Sequence, residues 1–188
     1  MALKGGTRQQ TWSFPSRSDC LRCHTAAAGR VLGLSTRQLN RDFDYGATVD
    51  NQLRAWDHVD LFDVALPPHA SLPAHPAPAD ASASVALRAR AYLDANCSMC
   101  HRPGGPSASA IDLRSTIAVS AMNVVGASPQ FGNVGLTNPQ IVFSGDRTRS
   151  TLWARMRVTT ADRMPPLATS VVDVTGSDLV GQWIDGGP

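Results

Sequence analysis

Long apolar segments are missing from this chain of 188 residues. A membrane-spanning helix needs about 18 or more consecutive apolar residues. No such run occurs, so the sequence predicts a soluble protein without a membrane span. Residues 1–19 mix basic and acidic residues and have no apolar stretch, so no signal peptide is visible in them.

Lysine and aromatic residues are also scarce. Lys4 is the only lysine among 17 basic residues, and the formal net charge of the chain is only +2. Basic residues form no run and are interspersed with acidic ones, a distribution that argues against nucleic-acid binding. Aromatic residues make up 6% of the chain. This is a small supply for a hydrophobic core, so a large apolar cofactor would complete the core.

Cysteine is equally sparse, but its four copies are not scattered. They form two pentapeptides of one pattern, Cys20-Leu21-Arg22-Cys23-His24 and Cys97-Ser98-Met99-Cys100-His101. In this pattern two thiols form thioethers with both vinyl groups of one porphyrin, and the histidine that follows binds the iron. The sequence therefore predicts two covalently attached haem c groups, with His24 and His101 as the proximal iron ligands. Arginine binds carboxylates bidentately, so some arginines are expected to hold haem propionates.

Other uses of paired cysteines fit this spacing less well. Zinc ribbons place their two Cys-x-x-Cys pairs about 15–20 residues apart, whereas 73 residues lie between Cys23 and Cys97. A thioredoxin-like redox pair needs a βαβ context, which neither motif has. Structural disulfides occur in exported proteins, but they do not explain a histidine directly after each pair.

A proline-rich segment divides the chain. Residues 64–84 contain five prolines among alanines and serines, a composition typical of a semi-rigid extended connector. One motif lies on each side, so we expect a first haem lobe over residues 1–63 and a second, cytochrome c-like haem lobe over residues 85–188. The predicted fold is mainly α, with two cytochrome c-like lobes and long irregular loops at 102–110 and 126–140.

Apolar residues recur at helical spacing on both sides of this connector. In the first lobe they predict short helices over residues 35–40 and 50–62. In the second lobe they predict helices over 85–96, after a Ser82 or Ser84 cap, over 148–158, and from a Ser177 cap to Gly186. In c-type cytochromes a first and a last helix cross and close the haem pocket. The first and last helices predicted for the second lobe have the corresponding places in the chain.

The sixth iron ligand decides whether a haem transfers electrons or binds small molecules. Met164 follows His101 by 63 residues, in the sequence Arg163-Met164-Pro165-Pro166. The two prolines stiffen a loop that would hold a thioether against iron. We therefore predict Met164 as the sixth ligand of the second haem, with core packing as the alternative role. Met156, on a predicted helix, is expected to pack beside the same haem.

Short stretches of recognisable pattern run from about Trp12 to Ile184. They are Trp12-Ser13-Phe14-Pro15, Leu32-Gly33-Leu34, Gln38-Leu39-Asn40, Ala91-Tyr92-Leu93-Asp94-Ala95-Asn96-Cys97, Gly145-Asp146, Ser150 and Met164-Pro165-Pro166. Together they resemble a family of bacterial diheme c-type cytochromes. Ser144 departs from the pattern, since a proline is expected before Gly145. The resemblance implies an electron-transfer role in domains that occur alone or fused behind β-propeller modules, including quinoprotein sugar-dehydrogenase-like ones.

The resemblance also bears on the ligand opposite His24, because the family tends to carry a methionine in the region of Met122. Met122 is therefore a candidate cross-lobe ligand of the first haem, with core packing as the main alternative. His58 is a second candidate and would give a bis-histidine site. His69 and His75 lie in the connector and are expected to be exposed to solvent.

These features predict an electron-transfer protein, or the carrier domain of a larger dehydrogenase, because the recognisable groups serve haem ligation and none serves substrate chemistry. The expected partners are redox proteins, such as a sugar or alcohol dehydrogenase and other cytochromes, and a homo-oligomer is compatible with the sequence. The alternatives are a diheme peroxidase-like enzyme, which would need an open iron site, and a link in a haem-stacked assembly. Haem attachment normally follows export, so we expect a periplasmic or extracellular location and an export signal or preceding domain outside this sequence.

Overall fold

The computed structural model of the protein describes Gln9 and residues 12–188, so most of the segment before Trp12, including Lys4, lies outside the described residues. Helix is the main regular structure of this part. The α-helices are α1 (Arg17–Leu21), α2 (Thr36–Leu39), α3 (Gln52–His58), α4 (Val85–Cys97), α5 (Thr151–Met156) and α6 (Val174–Asp185), and the strands are β1 (Asp42–Asp44) and β2 (Val49–Asn51). The loops predicted at 102–110 and 126–140 are irregular, as expected. Within the described residues no helix has the length and hydropathy to cross a membrane.

Helices α4 and α6 form the centre of the main hydrophobic core. The predicted helix at 85–96 is confirmed, and Ser84 caps it by accepting a 3.2 Å hydrogen bond from a backbone amide of the first turn. Leu93 of α4 is fully buried against Val180 and Ile184 of α6. Burial of such side chains stabilises the fold by about 1.5–3 kcal/mol each, so this helix pair anchors the second lobe.

The two helices approach closely where Gly176 faces Tyr92. A Cβ atom at Gly176 would lie 2.2 Å from ring atoms of Tyr92, so a larger residue would displace the ring. The Tyr92 hydroxyl donates a 2.9 Å hydrogen bond to the carboxylate of Asp173, directly before α6. The predicted contact between the first and last helices of the lobe is thus confirmed, while its cytochrome c-like architecture stays a prediction.

The predicted Ser177 cap of the last helix is wrong. Helix α6 begins earlier, at Val174, because the Asp173 carboxylate accepts a 2.9 Å hydrogen bond from the Gly176 amide and caps the helix. Ser177 is buried within the first turn, where its hydroxyl donates to the Val174 carbonyl at 3.1 Å. Two residues of this segment are suitable caps, and the tyrosine contact of Asp173 favours the earlier one.

The helix predicted over 148–158 is divided in the structure. A 3₁₀ turn at Arg147–Arg149 precedes α5, and Ser150 between them has extended backbone angles, φ −107° and ψ 113°. The Asp146 carboxylate stabilises the turn by accepting hydrogen bonds from the amide and hydroxyl of Thr148 at 2.8 and 2.6 Å. Such local side-chain contacts compete with a continuous helix, which explains the difference.

The first lobe departs most from its prediction. The helix predicted over 50–62 is the shorter α3, and β2 before it pairs antiparallel with β1, with Phe43 opposite Asp50. Asn51 ends the strand and caps the helix, because its side-chain oxygen accepts a 3.0 Å hydrogen bond from the Leu53 amide. Among the described apolar residues that are buried, Leu53 is the only one before residue 85. The first lobe therefore has almost no hydrophobic core of its own.

The proline-rich segment 64–84 is irregular apart from one 3₁₀ turn at His69–Ser71, in its first half. It packs near α2. The presence of α2 confirms the helix predicted over residues 35–40. The side-chain amide of Asn40 donates hydrogen bonds to the carbonyls of His69 and Leu72 at 2.9 and 2.8 Å. His69 is consequently partly buried rather than exposed.

His75 connects this segment to the second lobe. Only 11% of its side chain is accessible, so the prediction of an exposed histidine is wrong. Its Nε2 atom lies 2.8 Å from the carboxylate of Asp94 on α4. The contact depends on tertiary structure, which the proline-rich composition does not reveal.

Asp94 is expected to make folding sensitive to acid. Burial acts to raise the pKa of this carboxyl, but hydrogen bonds involving His75, Ser98 and Ser115 outweigh burial and lower the pKa to about 2. Relative to the ordinary value of 3.8, the lowered pKa corresponds to about 2 kcal/mol of stability. A carboxyl with a lower pKa in the folded state stabilises the fold above about pH 4, and this contribution is lost as the pH falls toward about 2.

Urea unfolding of the wild type and of Asp94→Asn at several pH values tests this expectation. The free energy of unfolding should be higher for the wild type than for the variant. This difference should be about 2 kcal/mol larger at about pH 6 than at about pH 2. Asp42→Asn, at an exposed position of β1, is the matched control and should follow the wild type. A difference between wild type and Asp94→Asn that does not change with pH would contradict the assignment.

Candidate cofactor site

The second Cys-x-x-Cys-His motif forms a compact turn at the end of α4. Cys97 is the last residue of the helix, and its carbonyl accepts hydrogen bonds from the amides of Cys100 and His101 at 3.1 and 3.0 Å. The Leu113 amide donates to the His101 carbonyl at 2.9 Å and fixes the loop that follows. The motif is therefore presented on a rigid helix end, as covalent attachment to one planar group requires.

An apolar cavity of about 330 Å³ lies beside this motif. Its lining includes Cys97 and His101 from the motif and Met164 from the loop before α6. The rest of its wall is mostly apolar and includes Leu93, Ile111, Leu113, Phe131, Ile141 and Leu152. Three residues that the sequence predicted to serve the second haem thus meet at one cavity.

Each of the two expected iron ligands in this cavity has a defined environment. Burial lowers the pKa of His101, which favours the neutral imidazole that binds metals. The His101 Nδ1 atom lies 3.3 Å from the Ser109 hydroxyl, which leaves Nε2 for a ligand. Met164 is 37% exposed at the cavity edge, and its amide donates a 2.9 Å hydrogen bond to the Arg155 carbonyl.

The cysteines of the second motif are poor thiolates. Burial raises the pKa of Cys97 to about 12. Burial, together with the nearby Cys23, raises the pKa of Cys100 to about 11. Zinc binding and thiol–disulfide exchange both use the thiolate. In the described part of the chain, moreover, no three His, Cys, Asp or Glu side chains form a group suited to a metal ion. The environment therefore favours neither a zinc site nor a reactive dithiol.

The first motif lies at the end of a short helix on an exposed surface. Ser16 caps α1 through a reciprocal pair of hydrogen bonds with Asp19. His24 Nδ1 donates a 2.6 Å hydrogen bond to the Arg30 carbonyl, so its Nε2 atom is the one left for a ligand. Cys20 is exposed and Cys23 is partly buried.

Exposed apolar side chains lie within the first motif and shortly after it in the sequence. Leu21, Val31 and Leu34 each leave about 60% of their surface accessible, and the lobe buries only Leu53 among its apolar residues in the described structure. A large apolar group attached at Cys20 would cover such a surface and complete the lobe. The surroundings of both motifs therefore fit a porphyrin.

The two motifs also contact each other. Cys23 and Cys100, the second cysteine of each motif, have Sγ atoms 3.8 Å apart. The Arg102 guanidinium donates a 3.0 Å hydrogen bond from Nη1 to the carbonyl of Ala27, after the first motif. Two haems on a chain of 188 residues would have to lie near each other, and the structure identifies which residues of the two motifs meet.

The other candidate ligands lie in different environments. Met122 is fully buried in the main core of the second lobe, the surroundings of a packing residue, and its predicted ligation of the first haem draws no support from this position. His58 is exposed at the end of α3. Met156 lines the second-lobe cavity, which agrees with its predicted packing role.

Two arginines were not singled out by the sequence. Arg155 of α5 contributes a cationic side chain to the cavity wall. Arg163 precedes Met164, and its Nε is buried without a hydrogen-bond partner among the described residues. An unpaired buried donor is costly, and a carboxylate of a bound group would satisfy it. Their positions in the sequence could have indicated a role at the site, since Arg155 lies in the predicted helix of Met156 and Arg163 directly precedes Met164.

Comparisons with known proteins found no match: no protein-family model, no curated protein and no solved structure matches this chain. The assignment of the site therefore depends on the two motifs and their surroundings. Covalent haem attachment by Cys20, Cys23, Cys97 and Cys100 stays a prediction supported by chemistry and geometry.

Proposed function

We propose that this chain is a diheme c-type cytochrome that transfers electrons between redox proteins. The observation that carries the proposal is the apolar cavity that brings Cys97, His101 and Met164 together. A cysteine for attachment, an imidazole and a thioether are the groups that a six-coordinate haem c requires. When bound, haem supplies one-electron oxidation and reduction at its iron.

In the second lobe, each group has a separate task. Cys97 and Cys100 would hold the porphyrin covalently, and His101 would present Nε2 while Ser109 lies beside Nδ1. Met164 would supply the thioether, which raises the potential relative to a second histidine. Arg163, with its unpaired Nε, would bind a propionate. The mostly apolar wall would limit the access of water to these groups.

In the first lobe, Cys20 and Cys23 would attach the porphyrin of the first haem. The hydrogen bond from His24 to the Arg30 carbonyl fixes the tautomer that leaves Nε2 free. Neutral hydrogen-bond acceptors of this kind orient the ring of a metal-binding histidine and raise its basicity. The covalently bound group would also cover the exposed Leu21, Val31 and Leu34.

We further propose that the protein acts outside the bacterial inner membrane, where haem is attached to cysteines. Its donor would be a dehydrogenase and its acceptor another cytochrome. The two Cys-x-x-Cys-His motifs, in a sequence without a recognisable substrate-binding motif, support a carrier rather than an enzyme.

Spectroscopy of the full chain, produced with haem attachment, tests the proposal. Mass spectrometry should find two haems per chain. Low-temperature EPR should show low-spin ferric iron, and near-infrared absorption should show methionine–sulfur coordination in one centre, because both irons of a carrier are six-coordinate with protein ligands. Absence of covalent haem would refute the cytochrome assignment. A dominant high-spin signal together with rapid peroxide turnover would favour the peroxidase-like alternative.

A further inference from the structure

We propose that Arg102 is a positioning residue that holds the two attachment motifs together and so sets the distance between the two haems. The inference rests on the proposed function, since it supposes that both motifs carry haem. It concerns a residue that lies outside both motifs and is not expected to touch iron.

The Arg102 guanidinium binds both sides of the junction. Its Nη1 atom donates to the Ala27 carbonyl at 3.0 Å, in the turn that follows the first motif. Its Nε atom donates to the Ser98 carbonyl at 2.6 Å, and its Nη2 atom donates to the Ser98 hydroxyl at 3.0 Å, within the second motif. A planar fork with several donors fits this arrangement, and a lysine would not reproduce it.

The loop after the second motif is shaped to bring this side chain to the junction. A Cβ atom at Gly105 would lie 2.3 Å from the Cys100 carbonyl oxygen, so the loop folds back tightly against the motif. Gly104 has φ +72°, and a Cβ atom there would lie 3.6 Å from the Ala27 side chain. The backbone of this loop therefore runs directly against the turn of the first motif.

The two motifs contact each other through Cys23 and Cys100. Their Sγ atoms are 3.8 Å apart, and Cys100 Sγ also lies 3.7 Å from the Arg22 carbonyl. Both residues are the second cysteine of their motif, so the corresponding edge of each porphyrin would be attached at this contact. The Arg102 contact thus holds the two attachment edges together.

Circular dichroism in the Soret region reports this arrangement independently of electron transfer. Two porphyrins held close in a fixed orientation give a bisignate Soret signal, which depends on their distance and angle. We expect this signal in the wild type and its loss in Arg102→Ala, with two haems per chain retained by mass spectrometry. Arg102→Gln, which keeps much of the side-chain volume without the fork, should show the same loss and serves where the alanine variant does not fold.

Arg54→Ala is the matched control. Arg54 is an exposed arginine of α3 that pairs with Asp50, so its loss should leave the bisignate signal unchanged. A full bisignate signal in Arg102→Gln, or its absence from a wild type that carries two haems, would overturn the role of Arg102 and leave the cytochrome assignment intact. A wild type without covalent haem would instead refute the proposed function itself.

Discussion

Replacing both Cys97 and Cys100 by alanine is expected to remove one of the two haems and to unfold the second lobe. The cavity beside these residues is walled by side chains of the main core and its surroundings, among them Leu93, Leu113 and Leu152. Without a covalently held porphyrin, these side chains would face water or an empty space. The end of α4 that carries Cys97 would then lose the group against which it packs.

The size of the cavity indicates how large the effect is. At about 24 cal/mol per Å³ of enclosed cavity, a volume of about 330 Å³ corresponds to a cost of at most about 8 kcal/mol, since water can enter at the edge where Met164 is exposed. Domains of this size are stable by only about 5–15 kcal/mol. The cost is comparable with the whole stability of the lobe, so we expect loss of cooperative unfolding rather than a small shift in Tm.

Thermal unfolding followed by far-ultraviolet circular dichroism measures this effect, because α4 and α6 are the longest helices of the described chain. Cys20→Ala with Cys23→Ala is the matched control. It should also remove one haem, yet the unfolding transition of α4 and α6 should persist, since their core lies in the second lobe. A haem-free second lobe that remains compact and melts cooperatively would show that its core forms without the cofactor.

Local sequence signals were sufficient to predict an element of the fold where they agreed with its tertiary packing. The Ser84 cap and the stripe that includes Leu93 predicted α4 almost to the residue, because the same positions that favour a helix also face α6. His101 and Met164 are 63 residues apart in sequence, yet both line one cavity. Their common role was predicted from the chemistry of haem ligation. That prediction needs only the two residue types and does not require the structure of the loops between them.

Elements that depend on long-range contacts were not predictable. The β1–β2 hairpin has strands of three residues, too short to show the alternation that indicates a strand. His75 lies among prolines and alanines that indicate an exposed connector, but its ring contacts Asp94, 19 residues away. The Asp173 carboxylate that caps α6 also accepts a hydrogen bond from Tyr92 of another helix. The hairpin strands are too short to give a signal, and in the other two cases the contact involves a residue far along the chain.

The junction of the motifs illustrates the same limit. Two haems in a short chain must be near each other, but the sequence does not show which cysteines meet. The contact of Cys23 with Cys100 results from a loop in which Gly104 and Gly105 permit a tight turn. Glycines in a loop indicate a turn in general. Only the structure shows that this turn places the Arg102 side chain against Ala27.

Changing Met164 to alanine is expected to leave the second haem attached and to alter its iron. Cys97 and Cys100 would still hold the porphyrin, so mass spectrometry should again find two haems per chain. Loss of the thioether removes a ligand that stabilises ferrous iron, and water or another histidine in its place favours ferric iron. The absorption band of ferric iron bound to methionine sulfur should disappear. The potential should fall by roughly a few tenths of a volt, within the range of about 0.8 V that axial ligands span.

Met156 provides the control, because it lines the same cavity without an expected bond to iron. Met156→Leu and Met164→Leu each remove one thioether sulfur and retain a similar apolar volume. Only Met164→Leu should abolish the methionine–sulfur band and lower the potential. Equal spectra for Met164→Leu and the wild type would assign Met164 to packing, and loss of the band in Met156→Leu alone would transfer the role to α5. The comparison separates ligation from packing, because the two methionines share the cavity and differ in the loop or helix that positions them.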